Sequence, residues 1–417
     1  MQDEHVEVSI VIPCLNEADT LATCIRKAGD ALERAGVSGE IVVADNGSSD
    51  GSQQIAECLG ARVVNVAARG YGNALMAGIA AARGRYVIMG DADDSYDFGE
   101  APKFIEKLRQ GFDLVQGCRL PAGGGRVMPG AMPWLHRVIG NPMLTFLVRK
   151  WFGARIHDVY CGMRGFTKSF YQSLRQHCTG MEFATEMIIR AHLFWGRIAE
   201  VPITLHPDGR KAHAPHLKTF RDGWRTLRLY LLFSPRWLFL IPGLALMLGG
   251  LIAGVLGLLM VEIVPGVTVS SHTALVGSLA IICGFQALVF SIFTKTLAIA
   301  SGWLPQDELY QRLYRLLTLE RGLLLALAGL GGGLALLFRA LYQWWRVDFG
   351  PLDYAQTMRY LIPGSTFIAL SVQTIFSSFF VSVLSVVSKS SDAKKLAESQ
   401  TRANELAHAL DYVPVQK

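Results

Sequence analysis

Residues 86–98 read YVIMGDADDSYDF. The first five form a short apolar run of the kind that makes a fully buried strand. Asp91, Asp93 and Asp94 follow at its carboxyl end. Three carboxylates within four residues repel one another unless a cation sits among them. Hard divalent ions such as Mg²⁺ or Mn²⁺ take oxygen ligands and commonly share them with a substrate's phosphates. Read alone, the run also suits a solvated acidic loop with an Asx-turn and a helix cap. The flanking sequence has to decide between the two.

Working outward, apolar runs predict strands over Val8–Pro13, Glu40–Ala44, Arg62–Val66, Tyr86–Gly90 and Leu114–Gly117. Helical periodicity predicts helices over Ala18–Ala35, Ser52–Leu59, Gly72–Ala82 and Gly99–Arg109. This alternation argues for a mostly parallel sheet with helices on both faces. Ligands of such sheets bind beyond the carboxyl ends of the strands. Those ends carry Pro13-Cys14-Leu15-Asn16-Glu17, then Asp45 to Ser52, then Arg69-Gly70-Tyr71-Gly72-Asn73, then the aspartates, then Arg119. Acids, glycines for close backbone approach and a cation thus meet on one edge of the sheet.

The second half differs. Only 18% of the 417 residues are charged, mean hydropathy is +0.30, and the apolarity is concentrated after residue 235. Four uncharged stretches, Trp237–Val261, Ala274–Thr294, Gly322–Phe338 and Tyr360–Ser388, approach or exceed the ~17–25 residues that span a bilayer. The third is cut early by Arg339, although Ala340–Trp345 extends it if that arginine snorkels. Lys and Arg gather before the first span, in the second loop and in the tail, while the first loop, Glu262–Thr273, has none. The asymmetry predicts an integral protein of the cytoplasmic membrane, with both termini in the cytoplasm. The start MQDEHVEVSIVIP has no basic region and no long apolar core, so it does not read as a signal peptide. Seven scattered cysteines without a Cys-x-x-Cys pair suit reduced thiols, and no His-x-x-x-His spacing points to zinc. The net charge of +6 fits contact with anionic lipid; nothing interleaves basic and aromatic residues as nucleic-acid binding would require. Gly249-Gly250 and Gly331-Gly332-Gly333 favour close helix packing, and with it a homo-oligomer.

Six segments together resemble the family-2 glycosyltransferases with the nucleotide-sugar (GT-A) fold, and among them the polyprenyl-phosphate hexose synthases. They are VSIVIPCLNEADTL, EIVVADNGSSDGS, GYGNALMAGIAAARGRYVIMGDADDSYDF, DLVQGCR, DVYCGMRGF and EVPITLHPDGRKAH. The resemblance runs from about Val8 to about Arg225 and implies a Rossmann-like α/β GT-A catalytic domain over 1–217; the membrane half matches only in kind. Apolar residues at helical spacing opposite Arg221, Arg225 and Arg228 predict an interfacial juxtamembrane helix over 218–236, and the apolar stretches predict an all-α domain of about four transmembrane helices over 237–388, followed by a cytoplasmic tail over 389–417. By position the resemblance implies that Pro13, Asn16 and Glu17 line the nucleotide pocket, that Asp45 receives the base or ribose, and that Asp50 and Gly51 complete the loop. Asp91 and Asp93 would be the Asp-x-Asp pair that reaches Mg²⁺ or Mn²⁺ and the donor diphosphate, with Asp94 free to face the sugar. Arg119 and Arg137 would clamp phosphate, with Arg126 as a substitute for the latter. Asp158 would sit beside the acceptor, as base or as orienting group. Arg210, with Lys211 and Lys218, would meet a lipid phosphate at the membrane surface. Family members often carry Asp-Asp where this chain has Asp45-Asn46.

The implied reaction moves a hexose, with inversion, from a nucleotide diphosphate to a membrane polyprenyl phosphate. UDP-hexose ranks ahead of GDP-mannose as donor. A lipid alcohol or a growing polysaccharide is the rival acceptor, though the Gln-x-x-Arg-Trp motif of processive synthases is missing. The non-enzymatic rival is a transporter with a sugar-nucleotide sensing domain; the uncharged cores of all four spans argue against a substrate path. Glu182 and Glu186 are expected to be structural.

Overall fold

The computed structural model describes residues 6–210, 219–308, 310, 312 and 318–411; the side chains of Thr219, Ile263 and 385–411 lie outside that description. Lys211, Lys218 and the basic residues expected in the tail therefore fall outside the described side chains. The chain divides into two compact units between Leu232 and Phe233.

The N-terminal unit runs β1 (Val8–Cys14), α1 (Leu21–Arg34), β2 (Gly39–Asp45), α2 (Ser52–Cys58), β3 (Arg62–Asn65), α3 (Tyr71–Ala81), β4 (Tyr86–Met89) and α4 (Ala101–Arg109). It continues with β5 (Leu114–Cys118), β6 (Arg126–Val127), α5 (Asn141–Phe152), β7 (Arg164–Thr167), α6 (Lys168–Leu174), α7 (Phe183–Leu193), β8 (Ile198–Pro202), β9 (Thr204–Leu205) and α8 (Thr219–Phe233). Seven strands form one sheet in the order β3-β2-β1-β4-β7-β5-β8. All neighbours are parallel except β7, which runs antiparallel between β4 and β5. Alternation sends successive β1 side chains to opposite faces. Ile10 and Ile12 join Leu21 and Ile25 of α1 and Phe104 and Leu108 of α4 in one buried cluster. On the other face α3 comes close, because Gly78 leaves room for Val11 and Ala44, whose side chains a Cβ there would meet at 2.6 and 3.0 Å.

The strand order fixes where a ligand binds. From β1 the chain proceeds outward through β2 to β3, then returns to place β4 on the opposite side of β1. The connections at the carboxyl ends of β1 and β4 therefore leave in opposite directions, and a crevice opens between them. The opening motif sits at that crevice.

Helix α8, expected to lie in a membrane surface, packs into the N-terminal unit through Tyr230. The Tyr230 ring meets Trp151 and Phe152 edge-on and its hydroxyl lies 3.1 Å from that of Tyr160. Phe220 and Trp224, on another side of α8, are exposed.

In the C-terminal unit, α9 (Ile241–Leu259), α10 (Ser271–Ala300), α11 (Leu319–Trp345) and α12 (Tyr354–Asp411) supply four segments long and apolar enough to cross a membrane: Arg236–Leu259, Ser271–Ala300, Leu319–Trp345 and Tyr354–Leu384. The third is one continuous helix past Arg339, whose guanidinium stands 5.2 Å from the Tyr360 ring centre. Close approach of α9 and α10 depends on Gly243, Gly250, Gly277 and Gly284, where a Cβ would meet backbone of the facing helix within 3 Å. Gly333 plays the same part between α11 and α12, and Ser278 and Thr366 share a 2.6 Å hydroxyl bond that ties α10 to α12. Gly249, Gly331 and Gly332 face open space.

Candidate functional site

Two loops meet at the nucleotide side of the crevice. Asn16 adopts φ +59°, and its side-chain oxygen accepts from Ser49 N–H at 2.9 Å while its own N–H donates to Ser48 Oγ at 2.8 Å. Asp50 accepts from Ala18 N–H at 2.9 Å and from the Ser52 hydroxyl at 2.6 Å. Gly51 is left-handed at φ +91°, a conformation that suits glycine. The β1–α1 and β2–α2 loops are thus stitched into one wall. Pro13 is buried inside β1, paired in register with Ala44.

Asp45 is 1% exposed. Its carboxylate accepts from Gly47 N–H, Ser48 N–H and the Gln53 amide at 3.0, 3.1 and 2.6 Å, so in this conformation it anchors its own loop. The departure at Asn46 has a physical reason. Its amide donates to the carbonyls of Val66 and Ala68 at 3.0 and 2.8 Å and accepts from Gly70 N–H at 2.7 Å. A carboxylate has no hydrogen to give those carbonyls.

The acids after β4 separate by role. Asp91 accepts from the Tyr71 hydroxyl at 2.8 Å. Burial, and then the charge of Asp93, push its carboxyl up to about 6. Asp93 gives one oxygen to Ser95, whose Oγ lies at 2.6 Å, and the other to the Arg210 guanidinium at 2.8 Å. Asp94 does not face the crevice chemistry expected of it; it adopts φ +58° and pairs with Lys27 of α1 at 2.7 Å.

Arg210, expected near phosphate, pairs here with the acids of the crevice. It reaches Glu17 at 3.1 Å, Asp93 at 2.8 Å and Asp208 at 2.6 Å, and its side chain is 10% exposed. The backbone behind it is zipped to the aspartate loop through Gly209 N–H to Asp93 O at 2.9 Å and His206 N–H to Ser95 O at 2.9 Å. Asp208, Ser95 and Tyr71 lie inside the quoted segments, where nothing local marks them as partners of the acids. Their signal is only visible once the strand ends are brought together.

Arg119 and Asp158 face each other. The guanidinium makes a bidentate pair with the carboxylate at 2.7 and 2.9 Å, and both are buried. Burial works against the Arg119 charge, but Asp158 and then Tyr96 hold it, well above the ordinary arginine range. Its third nitrogen reaches the Tyr96 hydroxyl at 3.1 Å, which also accepts from Gly162 N–H at 2.8 Å. Arg119 is therefore committed to Asp158 and is not an open phosphate clamp here. Arg126 and Arg137 are both exposed. Glu186 is structural, paired with Arg190 at 3.2 Å and accepting from Cys178 N–H at 2.8 Å.

Among the described residues no three His, Cys, Asp or Glu side chains form a metal cage. Asp91 and Asp93 still fit a hard divalent ion. Two carboxylates held together at a cost in charge repulsion, with no nitrogen or sulfur ligand beside them, suit a cation that draws further oxygens from a diphosphate.

Residues 9–175 match the family described as Glycosyl transferase family 2, and residues 292–385 match the Glycosyltransferase family 2 C-terminal transmembrane region. The low-salt glycan biosynthesis hexosyltransferase Agl6 of Haloferax volcanii is 36% identical over 90% of this chain and 89% of its own. A dolichyl-phosphate hexose transferase of the same organism is 30% identical over 52% of this chain and 89% of its own. Among solved structures, glucosyl-3-phosphoglycerate synthase from Mycobacterium tuberculosis, in complex with Mn²⁺, UDP and glucosyl-3-phosphoglycerate, aligns with a TM-score of 0.44 and 22% identity. It covers 54% of this chain and 79% of that one. With the full-length likeness to a hexosyltransferase and both halves matched by family-2 regions, the chain belongs to glycosyltransferase family 2, a GT-A-type α/β unit followed by four candidate membrane helices.

Proposed function

We infer that the chain transfers a hexose from a nucleotide diphosphate donor to a membrane polyprenyl phosphate, with inversion at the anomeric carbon. The observation that carries this is the convergence of Glu17, Asp91, Asp93 and Arg210 where the connections after the paired strands β1 and β4 leave in opposite directions. Likeness to two Haloferax volcanii proteins, a hexosyltransferase and a dolichyl-phosphate hexose transferase, supports hexose as cargo, and the second supports a polyprenyl phosphate as acceptor. UDP-hexose is the first donor to test and GDP-mannose the second.

In the reaction an acceptor oxygen forms a bond to the anomeric carbon as the bond from that carbon to the diphosphate oxygen breaks. The nucleoside diphosphate leaves with the electron pair. Asp91 and Asp93 would hold Mg²⁺ or Mn²⁺, which supplies positive charge to the departing diphosphate. Arg210 adds a fork of donors suited to phosphate oxygens. The stitched loops of Asn16 and Asp50 hold the nucleotide side rigid, which lowers the cost of aligning the reacting atoms.

The state of Asp158 bears on the acceptor. Both oxygens of the buried Asp158 carboxylate are bound by Arg119, so in this conformation neither is turned to an acceptor hydroxyl. A phosphate monoester needs none, since its second pKa is ~6 and its oxygen is already ionised at neutral pH. An alcohol would need a base. Asp158 and Arg119 thus read as the rigid support of the acceptor side. Exposed apolar side chains on α8 (Phe220, Trp224) and before and within α5 (Trp134, Ile139, Phe146) suit a unit that works against lipid. The basic residues that flank the spans support a cytoplasmic location for that unit.

The test is transfer of labelled sugar in membranes supplied with nucleotide-sugar and polyprenyl phosphate. Asp93→Ala should abolish product, by at least about a hundredfold given that charge stabilisation at the leaving group is lost. Full transfer by that variant, or a product stable to mild acid, would sink the assignment.

A further inference from the structure

Asp93 has both oxygens engaged by protein: Ser95 N–H and Oγ on one, at 3.1 and 2.6 Å, and the Arg210 fork on the other, at 2.8 Å. Arg210 spans three carboxylates from three separate segments, Glu17 after β1, Asp93 after β4 and Asp208 after β9. A divalent ion reaching the second oxygen of Asp93 therefore competes there with the guanidinium that already neutralises it. The guanidinium, in turn, is released more readily when another anion takes the place of the carboxylate. A nucleoside diphosphate is such an anion, and a planar fork donates to two phosphate oxygens as readily as to two carboxylate oxygens.

We propose that Arg210 is an exchangeable stand-in for the cation, held on Asp93 until a nucleoside diphosphate draws it away, so that cation and donor bind only in concert. The proposal rests on the donor-site assignment above and adds to it a coupling that the assignment does not require. Asp208 is the tether: it binds Nε and Nη2 of Arg210 at 2.8 and 2.6 Å and keeps the side chain in the crevice during the exchange. Glu17 and Asp93 are the partners that Arg210 gives up or shares. The device keeps the crevice from filling with free cation, which would block Arg210 from the diphosphate.

Coupling of two ligands is a measurable free energy and is reciprocal, commonly worth about 5–150-fold in affinity. The experiment is a Mn²⁺ titration of the full-length protein in detergent, read by the paramagnetic signal of free Mn²⁺, with and without UDP, GDP or dTDP. In the wild type, the cognate nucleotide should tighten Mn²⁺ by about tenfold or more. In Arg210→Gln, Mn²⁺ alone should bind about threefold or more tightly than in the wild type, and the nucleotide effect should fall below about threefold. Arg210→Lys separates exchange from plain charge. Lysine keeps the charge but not the fork, so a purely electrostatic role would leave it like the wild type, whereas exchange requires its coupling to fall. Should Arg210→Gln not fold, Arg210→Met removes the charge and the fork while keeping an apolar stem of similar reach, and Mn²⁺ alone should again bind more tightly. Unchanged Mn²⁺ affinity and unchanged coupling in Arg210→Gln, or in Arg210→Met when it is the variant that folds, overturns the proposal while leaving the donor assignment intact. A wild type that binds Mn²⁺ but none of the three nucleotides overturns both.

Discussion

Asp91 shows how a single residue trades stability for chemistry. Its carboxyl is raised from 3.8 to about 6 by burial and by Asp93. A carboxyl raised on folding penalises the folded state once it must ionise: fully above pH 6, progressively less below it, and not at all below the unfolded value. Asp91→Asn removes the charge and keeps an acceptor for the Tyr71 hydroxyl. In EDTA at pH 7.5 this variant should therefore be more stable than the wild type, by on the order of 2 kcal/mol, while losing transfer activity. Thermal unfolding from pH 7.5 down to pH 4.5 checks it: the difference should shrink through pH 6, and a constant or growing difference would refute the origin assigned to it. Acid identity at these positions was legible in the sequence; partnership was not. Nothing in local text says that Arg119 closes on Asp158, 39 residues away, or that Asn46 needs an amide because two carbonyls of the β3–α3 connection face it.

Elements were legible where a single local force sets them. The five strands read from apolar runs appear within a residue or two of their expected limits, because strands inside a parallel sheet read as largely apolar runs. Strand β7 escaped notice for a physical reason. Arg-Gly-Phe-Thr has neither an apolar run nor alternation, and its first residue is a fully buried arginine that bonds the carbonyls of Cys161 and Ala184. Only the gap between β4 and β5 makes it a strand. Helix α3 offers a test at this scale. At Gly72 a Cβ would stand 2.8 Å from the Thr179 carbonyl carbon, and Gly72 N–H donates to Thr179 O at 2.9 Å. Gly72→Ala should push the start of α3, and with it Tyr71, away from Asp91. The expected cost is about 2–3 kcal/mol together with reduced transfer, seen as a lower denaturation midpoint. An unchanged midpoint would mean that the 178–179 backbone yields freely.

At the scale of the whole molecule, composition had already split the chain into an ordinary globular half and an apolar one, and the four spans follow from length and hydropathy alone. Orientation is open to a direct measurement. Cys58 is exposed at the end of α2, and Cys283 lies in the second span. A membrane-impermeant maleimide should label Cys58 in inside-out vesicles and not in sealed cells, and should miss Cys283 in both. Labelling of Cys58 from outside would reverse the assigned topology. The reach of Arg210 has one more effect, on the order of events as the chain is made. Arg210 lies 193 residues after its partner Glu17 and 117 after Asp93, and only a short stretch before the first span. A chain still emerging from the ribosome can thus assemble every strand of the large sheet and still hold its acids without their guanidinium. On this spacing the crevice would gain the Arg210 guanidinium only shortly before the first candidate span is made, so completion of the proposed donor site and delivery to the bilayer would fall at nearly the same moment of synthesis.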